Sequence, residues 1–390
     1  MKQKKIVNKI TFGCGNTVDI MKNAQKEKDD EFYTPLQPIV NELSHWGNKL
    51  TGKHIICPCD WDVLTDQDVF SIRAEFSKKR EKNKFSRTYY INKVEHISYS
   101  LWDDNEDRLS SPTTIDGDDA DELIKDRVTC NFFKFLCELG EEYGALSVTA
   151  SGYDIETNRG IKFQDIDYSA YDICITNPPF SIYAEFMKTM VEESENRKNS
   201  DHPFNFILLS PFNNRVTPNV GLPLMLKQCY LGYTRHNNIS FINPTAENNY
   251  HQKSVACDWI TTFPDAQQEI DKHFMHNGIS YEAYKDDYEV MENMTMKDGT
   301  HPLKINNYRS IPDDYFGWMF SSIGVLDELS NDEFEWYITN AKGYFNKENP
   351  QANPFAHKAT DTMLTSNDKI KYHGIILRRK QLPKTKEQDQ

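Results

Sequence analysis

The sequence predicts an α/β domain built on a mostly parallel sheet, and three observations carry that prediction. Apolar runs of strand length recur at His54-Ile55-Ile56-Cys57, at residues 145–150, at 171–176 and at 204–209. Segments with apolar residues at helical spacing separate them, notably 132–139 and 183–193. Turn residues mark the junctions: Gly52 before the first run, Gly140 or Gly144 before the second, Gly152 after it. Strands alternating with helices favour parallel pairing, because each crossover helix returns the chain to the same end of the sheet.

Taken in order, residues 1–28 are polar and of mixed charge and read as a loosely ordered arm. A helix starts near Pro35 and carries Ile39, Leu43 and Trp46. The first strand, 54–57, is entered through Gly52-Lys53. Residues 63–127 are first basic (Lys78, Lys79, Arg80, Lys82, Lys84, Arg87), then acidic (Asp116, Asp118, Asp119, Asp121, Glu122), with turn signals at Ser110-Ser111-Pro112 and Asp116-Gly117. Such composition rarely builds a core, and the segment is read as a solvated insertion. A helix over Phe132, Phe133, Phe135, Leu136 and Leu139 precedes the second strand; Gly160 to Phe163 gives a short third. After Ser210 the alternation weakens and aromatic and turn residues dominate. The partition is an arm at 1–28, a core at 29–210 with its insertion at 63–127, and a region at 211–390 that adds strands and a recognition elaboration.

Composition is that of an ordinary soluble globular chain, 38% hydrophobic and 27% charged. No apolar run approaches the roughly 18 residues a bilayer span needs, so no membrane association is expected. Met1 to Lys5 is Lys-rich but lacks an apolar continuation, and eight cysteines stand without a CxxC pair, which favours reduced thiols and the cytoplasm. His96, His236 and His251 lack metal-ligand spacing, so no metal is expected. The net charge of -14 is unusual for a protein that grips a polyanion. A second basic cluster at Lys369, Lys371, Arg378, Arg379 and Lys380 leaves room for a local basic cleft.

The residues that carry chemistry are Asn177-Pro178-Pro179-Phe180, directly after the apolar run 172–176. In parallel sheets ligands bind beyond the carboxyl ends of strands, where this tetrapeptide falls. An exocyclic amine is a poor nucleophile because its lone pair is delocalised into the ring. The Asn177 amide oxygen and the Pro178 carbonyl can each accept one amine hydrogen and localise that lone pair. Two prolines fix the backbone that aims the carbonyl, and Phe180 offers a face for an extruded base. Phe12-Gly13-Cys14-Gly15 is too short a glycine pattern to mark a cofactor loop.

On these residues and others the chain resembles the EcoRI-type adenine-specific DNA methyltransferase family. The resemblance runs through Asp30-Glu31-Phe32-Tyr33-Thr34-Pro35, Cys57-Pro58-Cys59-Asp60, Asn131-Phe132-Phe133-Lys134-Phe135, Ala150-Ser151-Gly152-Tyr153 and the tetrapeptide with Ser181. It continues in Trp259, Ile311-Pro312-Asp313-Asp314-Tyr315 and Phe334-Glu335, covering roughly 29–62 and 128–380. It implies a Rossmann-like fold, S-adenosylmethionine as cofactor and double-stranded DNA as substrate. Phe32, Tyr33, Thr34 and Pro35 would line the cofactor pocket. Cys57 to Asp60 would form the turn after the first strand, with Asp60 facing the cofactor's methionine amine. Tyr153 or Asp154 would face ribose and adenine, and Asp165 the adenine amine, with Asp167 an equal neighbour. Family members run almost directly from the Cys-x-Cys-Asp turn into the Asn-Phe-Phe-Lys helix, whereas here residues 63–127 intervene.

Two further readings stay open. Enzymes that methylate RNA guanine or a protein glutamine amide carry the same tetrapeptide. A module that holds cofactor and DNA without turnover is the other, and the intact Asn177, Pro178 and Phe180 speak against it. For DNA, base-edge contacts are expected after Ser210, from Asn213, Asn214, Arg215, Asn237 and Asn238. The residues name neither a partner nuclease nor an oligomeric state.

Overall fold

The computed structural model describes residues 33–60, 69–78, 85–98, 105–109, 113–116, 130–154, 159–242, 252–273, 275–292, 294–339, 354, 365–366, 369–370 and 374–380. The arm at 1–28, Phe32 and the glycine pattern at 12–15 lie outside them.

Helix α1 (Leu36–Leu43) starts at Pro35, whose φ of -58° is already helical, and it buries Ile39, Glu42 and Leu43. A 3-10 turn over Ser44–Leu50 buries Trp46 and Leu50 before strand β1 (His54–Cys57). The segment expected as a solvated insertion contributes four strands instead: β2 (Val69–Lys78), β3 (Phe85–Ser98), β4 (Asn105–Leu109) and β5 (Thr113–Asp116). The correction has a physical cause. Within the charged background, Ile72, Ala74 and Phe76 on β2 and Tyr89 and Ile91 on β3 alternate at the strand period and are buried. Net polarity conceals that period.

Helix α2 (Asn131–Tyr143) ends where Gly144 adopts φ 72° and returns its N–H to the Gly140 carbonyl. Strand β6 (Ser147–Ser151) follows, then the hairpin β7 (Tyr153–Asp154) and β8 (Arg159–Gly160). Beyond Gly160 the expected strand gives way to a 3-10 turn over Phe163–Asp165. Strand β9 (Ile173–Thr176) leads through the tetrapeptide into α3 (Tyr183–Arg197) and β10 (Asn205–Pro211). After α4 (Pro218–Met225) come β11 (Tyr230–Leu231), β12 (Asn237–Ile242) and β13 (Gln252–Thr261).

The centre of the main sheet is parallel, in the order β6-β1-β9-β10. Antiparallel strands flank it on both sides: β13 lies on β10 and carries β11 and β12, while β2 lies on β6 and carries β3 with β4 and β5. Successive residues of the central strands enter two cores. Ile55, Cys57, Ile173, Ile175, Ile207 and Leu209 face α1 and α2; Ile56, Cys174, Phe206 and Leu208 face α3 and α4. Burial on both faces explains why these strands read as continuous apolar runs.

The second core continues into the C-terminal residues. A helix α5 (Asp265–Asp271) and a single turn α6 (Tyr281–Tyr284) precede a second sheet. Its strands are β14 (Leu303–Ile305), β15 (Met319–Ser321), β16 (Phe334–Ile338) and, after a small hairpin β17 (Thr365–Ser366) and β18 (Lys369–Ile370), β19 (Ile375–Arg379). Their order is β14-β15-β19-β16.

Candidate active site

The carboxyl ends of β6, β1, β9 and β10 lie along one edge, and the predicted residues gather there. β1 ends at Cys57, and the turn Pro58-Cys59 delivers Asp60, which is 5% exposed. The Asp60 amide donates to the Ser151 carbonyl at 2.9 Å, tying the turn to the end of β6. Asp60 Oδ1 lies 3.5 Å from the Thr176 hydroxyl, the residue before Asn177. The thiol of Cys130, which precedes α2, also hydrogen-bonds the Asp60 carboxylate. One residue on, Asn131 Nδ2 donates to the Thr34 carbonyl at 2.9 Å. Five segments far apart in sequence thus converge: 34, 57–60, 130–131, 151 and 176.

Asp60 sits among thiols held protonated. Burial, followed by the Asp60 charge, pushes the Cys57 and Cys130 thiols well up; burial, then Cys59 and Asp60, does the same for Cys174. None of these three can act as a thiolate nucleophile near neutral pH. This edge of the sheet also carries polar atoms suited to a ligand. Among the described residues, the hydroxyl oxygens of Thr34 and Ser151 are buried without a hydrogen-bond partner, an arrangement that costs free energy unless something polar completes it. With the Asp60 carboxylate beside them, this donor set fits a cofactor bearing an ammonium and hydroxyl groups.

The hairpin β7–β8 closes the neighbouring side. Ile161 donates its amide to the Gly152 carbonyl at 2.7 Å, and Lys162 Nζ lies 5.0 Å above the Tyr153 ring. Asp154 occupies β7 opposite Arg159; its side chain lies outside the described residues. The Asp165 side chain is exposed at the end of its 3-10 turn. Asp167 caps its own turn by accepting from the Ser169 amide and hydroxyl, which separates the two neighbouring acids.

In the tetrapeptide Asn177 and Pro179 are half-buried and Pro178 is buried. The Pro179 carbonyl accepts from the Ile182 amide at 3.2 Å, which turns the chain into α3. Phe180 is 4% exposed, with its ring edge-to-face against Phe241 at 6.0 Å. A stacking surface at Phe180 therefore requires the ring to be uncovered, which the sequence did not indicate.

Several expected DNA contacts are corrected. Arg215 is 1% exposed and held by Asp258 and Asp327, and Asn214 is 6% exposed, so neither presents its side chain to a base. Of the other three amides, Asn213 and Asn237 are half-buried and Asn238 is exposed. In the basic clusters, Arg87 pairs with Glu141, Arg378 with Glu335, and Arg379 with Glu333, while Lys380 Nζ donates to the Asn331 carbonyl. The pair Asp313-Asp314 organises a loop. Asp313 accepts from the amides of Asn277 and Gly278, and Asp314 from the Tyr281 amide and the Ser280 hydroxyl. Sequence reasoning passed over Cys130 and Thr176. Their only local signal is adjacency to Asn131 and Asn177.

The family described as adenine-specific methyltransferase EcoRI matches residues 20–380. The chain is 21% identical over 389 residues to the type II methyltransferase M.EcoRI of Escherichia coli, an alignment covering 94% of this chain and 98% of that one. It is 19% identical over 377 residues to the type II methyltransferase M.MgeORF184P of Mycoplasma genitalium, covering 92% and 98%. No solved structure matches the chain.

Proposed function

The chain belongs to the EcoRI adenine-specific methyltransferase family, and from that premise we propose that it is a DNA adenine N6 methyltransferase with S-adenosylmethionine as methyl donor. The observation that carries this reading is the placement of Asn177-Pro178-Pro179-Phe180 at the carboxyl end of β9, with Thr176 bonded to the Asp60 of the adjoining turn. The matched relatives' names support a DNA substrate.

In this proposal the Asp60 carboxylate holds the cofactor's ammonium, and the Thr34 and Ser151 hydroxyls complete its polar shell. Phe32, Tyr33 and Pro35 line the same pocket, Tyr153 or Asp154 takes the ribose, and Asp165 takes the adenine amine. When bound, S-adenosylmethionine supplies a methyl group made electrophilic by its sulfonium. The protein's own work is positioning. An adenine must leave the duplex to reach the site, at a cost of a few kcal/mol. Asn177 Oδ1 and the Pro178 carbonyl then accept the two amine hydrogens and turn the nitrogen lone pair toward the donor. Both acceptors are neutral, so they orient these protons rather than take them. As the N–C bond formed and the donor's C–S bond broke, the nitrogen would become cationic and would then pass one of its two protons to water. Phe180 provides the ring against which the base is held once that ring is uncovered.

Transfer of labelled methyl from S-adenosylmethionine to duplex DNA, followed by mass analysis of the nucleosides, tests this reading. Wild type is expected to yield N6-methyladenine. Asn177→Ala should lose about 100-fold or more in rate, the usual cost of one preorganised polar contact at a reacting group, while still binding the cofactor. Methyl transfer to RNA or protein with none to DNA would assign the same chemistry to another substrate. Cofactor and DNA binding without product would make the protein a binding module.

A further inference from the structure

Phe241 is wholly buried on β12, and its ring meets Phe180 with centroids 6.0 Å apart and planes at 90°. The strand register explains how β12 reaches the tetrapeptide. Cys257 on β13 pairs with Pro211, the last residue of β10, and also with Asn237, the first of β12. The ribbon formed by 238–242 and 252–256 therefore runs on past the carboxyl end of β10, the edge along which the candidate site lies. One side of that ribbon is apolar: Ile239, Phe241 and Val255 are buried in the core that also holds Phe180. The other side is polar, with Asn238 and Ser254 exposed.

We propose that Phe241 is a positioning residue for the methyl transfer, setting the plane of the Phe180 ring beside Asn177. This rests on reading Asn177 to Phe180 as the catalytic motif. Ring pairs prefer edge-to-face or offset-stacked arrangements over a face-to-face sandwich, and this pair is edge-to-face. Two prolines fix the backbone that leads into Phe180, and the orientation of its ring is left to the side-chain torsions. Phe241, edge-to-face with that ring, is a partner that holds those torsions. A base held against a ring turned out of this plane sits away from the two acceptors, and an error of about 1 Å at a reacting atom can cost ~100-fold. The ribbon that carries Phe241 is built by pairing with β13, so the ring's orientation is set by the sheet rather than by the tetrapeptide.

The test is a double-mutant cycle on Phe180→Leu and Phe241→Leu, using S-adenosylmethionine and duplex DNA carrying a site identified by sequencing DNA that the wild type has methylated. Phe241→Leu should lower kcat about 3- to 10-fold, the range a ring pair supports, with the Kd for S-adenosylmethionine unchanged. The double variant should lose no more than Phe180→Leu alone, because Phe241 acts through Phe180. A residue that only fills the core would lower Tm and leave kcat per folded molecule intact. Wild-type kcat in Phe241→Leu, or losses that multiply in the double variant, would overturn the inference. Should Phe241→Leu fail to bind S-adenosylmethionine for want of folding, Phe241→Met carries the same comparison with a flexible side chain of similar size. Wild type that transfers no methyl to DNA would instead overturn the proposed function, a separate outcome.

Discussion

Arg215 holds Asp258 with two parallel hydrogen bonds, Nε to Oδ2 at 2.6 Å and Nη2 to Oδ1 at 2.5 Å, and both side chains are fully buried. Nη2 also reaches Asp327 Oδ1 at 2.6 Å, and Nη1 donates to the Ile323 carbonyl at 3.2 Å. Asp258 belongs to β13 of the main sheet, whereas Ile323 and Asp327 bound a 3-10 turn just after β15 of the second. Arg215 is thus the bolt between the two sheets. Breaking a buried pair by removing one partner strands the other charge, at a cost of about 3–5 kcal/mol. Asp258→Ala should lose that much in urea denaturation; a loss within about 1 kcal/mol, on the scale of an exposed pair, would show that the pair holds nothing.

Glu42 is another buried acidic residue that joins distant segments. Its carboxylate accepts from Trp46 Nε1 at 2.9 Å and from the amides of Tyr233 at 3.0 Å and Thr234 at 2.6 Å. Glu42→Ala should cost at least about 3 kcal/mol, since each abandoned buried donor costs roughly 1–3. Gly232 makes the approach possible, because a Cβ there would strike Glu42 Oε1 and meet the Cβ of Trp259 at 2.8 Å. Gly232→Ala is expected to lose roughly 1–3 kcal/mol. Chemical denaturation of both variants checks this, and a Gly232→Ala protein as stable as wild type would rule out the close packing.

Asp60→Asn keeps the shape of the turn and removes its charge. The proposed ammonium contact predicts a roughly 10- to 100-fold weaker Kd for S-adenosylmethionine, about 1.4–2.7 kcal/mol. Isothermal titration reads it directly. Undiminished affinity would assign the cofactor's amine to another residue.

Acid should loosen the loop that Asp313 and Asp314 clamp. Burial pushes the Asp313 carboxyl up, but the amides of Asn277 and Gly278, with His276 and Arg379, hold it below its ordinary range. The Ser280 hydroxyl and Tyr281 amide lower that of Asp314. Folded values below the unfolded ones mean that the folded state binds fewer protons. The clamp's contribution is therefore full above the ordinary carboxylate pKa and is lost as pH falls through the folded values. Protection of the amides at 277–281, taken relative to the intrinsic exchange rate at each pH, should fall as pH drops below the ordinary carboxylate range, and Asp313→Asn should flatten that dependence. Protection that does not change with pH would remove the clamp from the account.

Much of the site was legible because it is written in short stretches. The apolar runs at 54–57 and 173–176 became adjacent parallel strands, and the residues that follow each, Asp60 and Asn177, came to one edge. Strand length and a proline pair are local properties, readable without knowing the partner strand. Phe180 was harder, since its burial and the orientation of its ring depend on distant residues, among them Phe241 on β12.

By itself the sequence determined the parallel centre and the positions of the tetrapeptide and its acidic neighbour, because backbone preference and apolar patterning act over a few residues. Only the tertiary structure decided what the charged and polar side chains do. Arg215 looked like a base-reading arginine until Asp258, 43 residues away, occupied it. The 63–127 segment looked solvated until its strands took up backbone hydrogen bonds from β6, which side-chain polarity does not forbid. A charge is free or neutralised according to its neighbours in space, and that fact enters only when the chain closes.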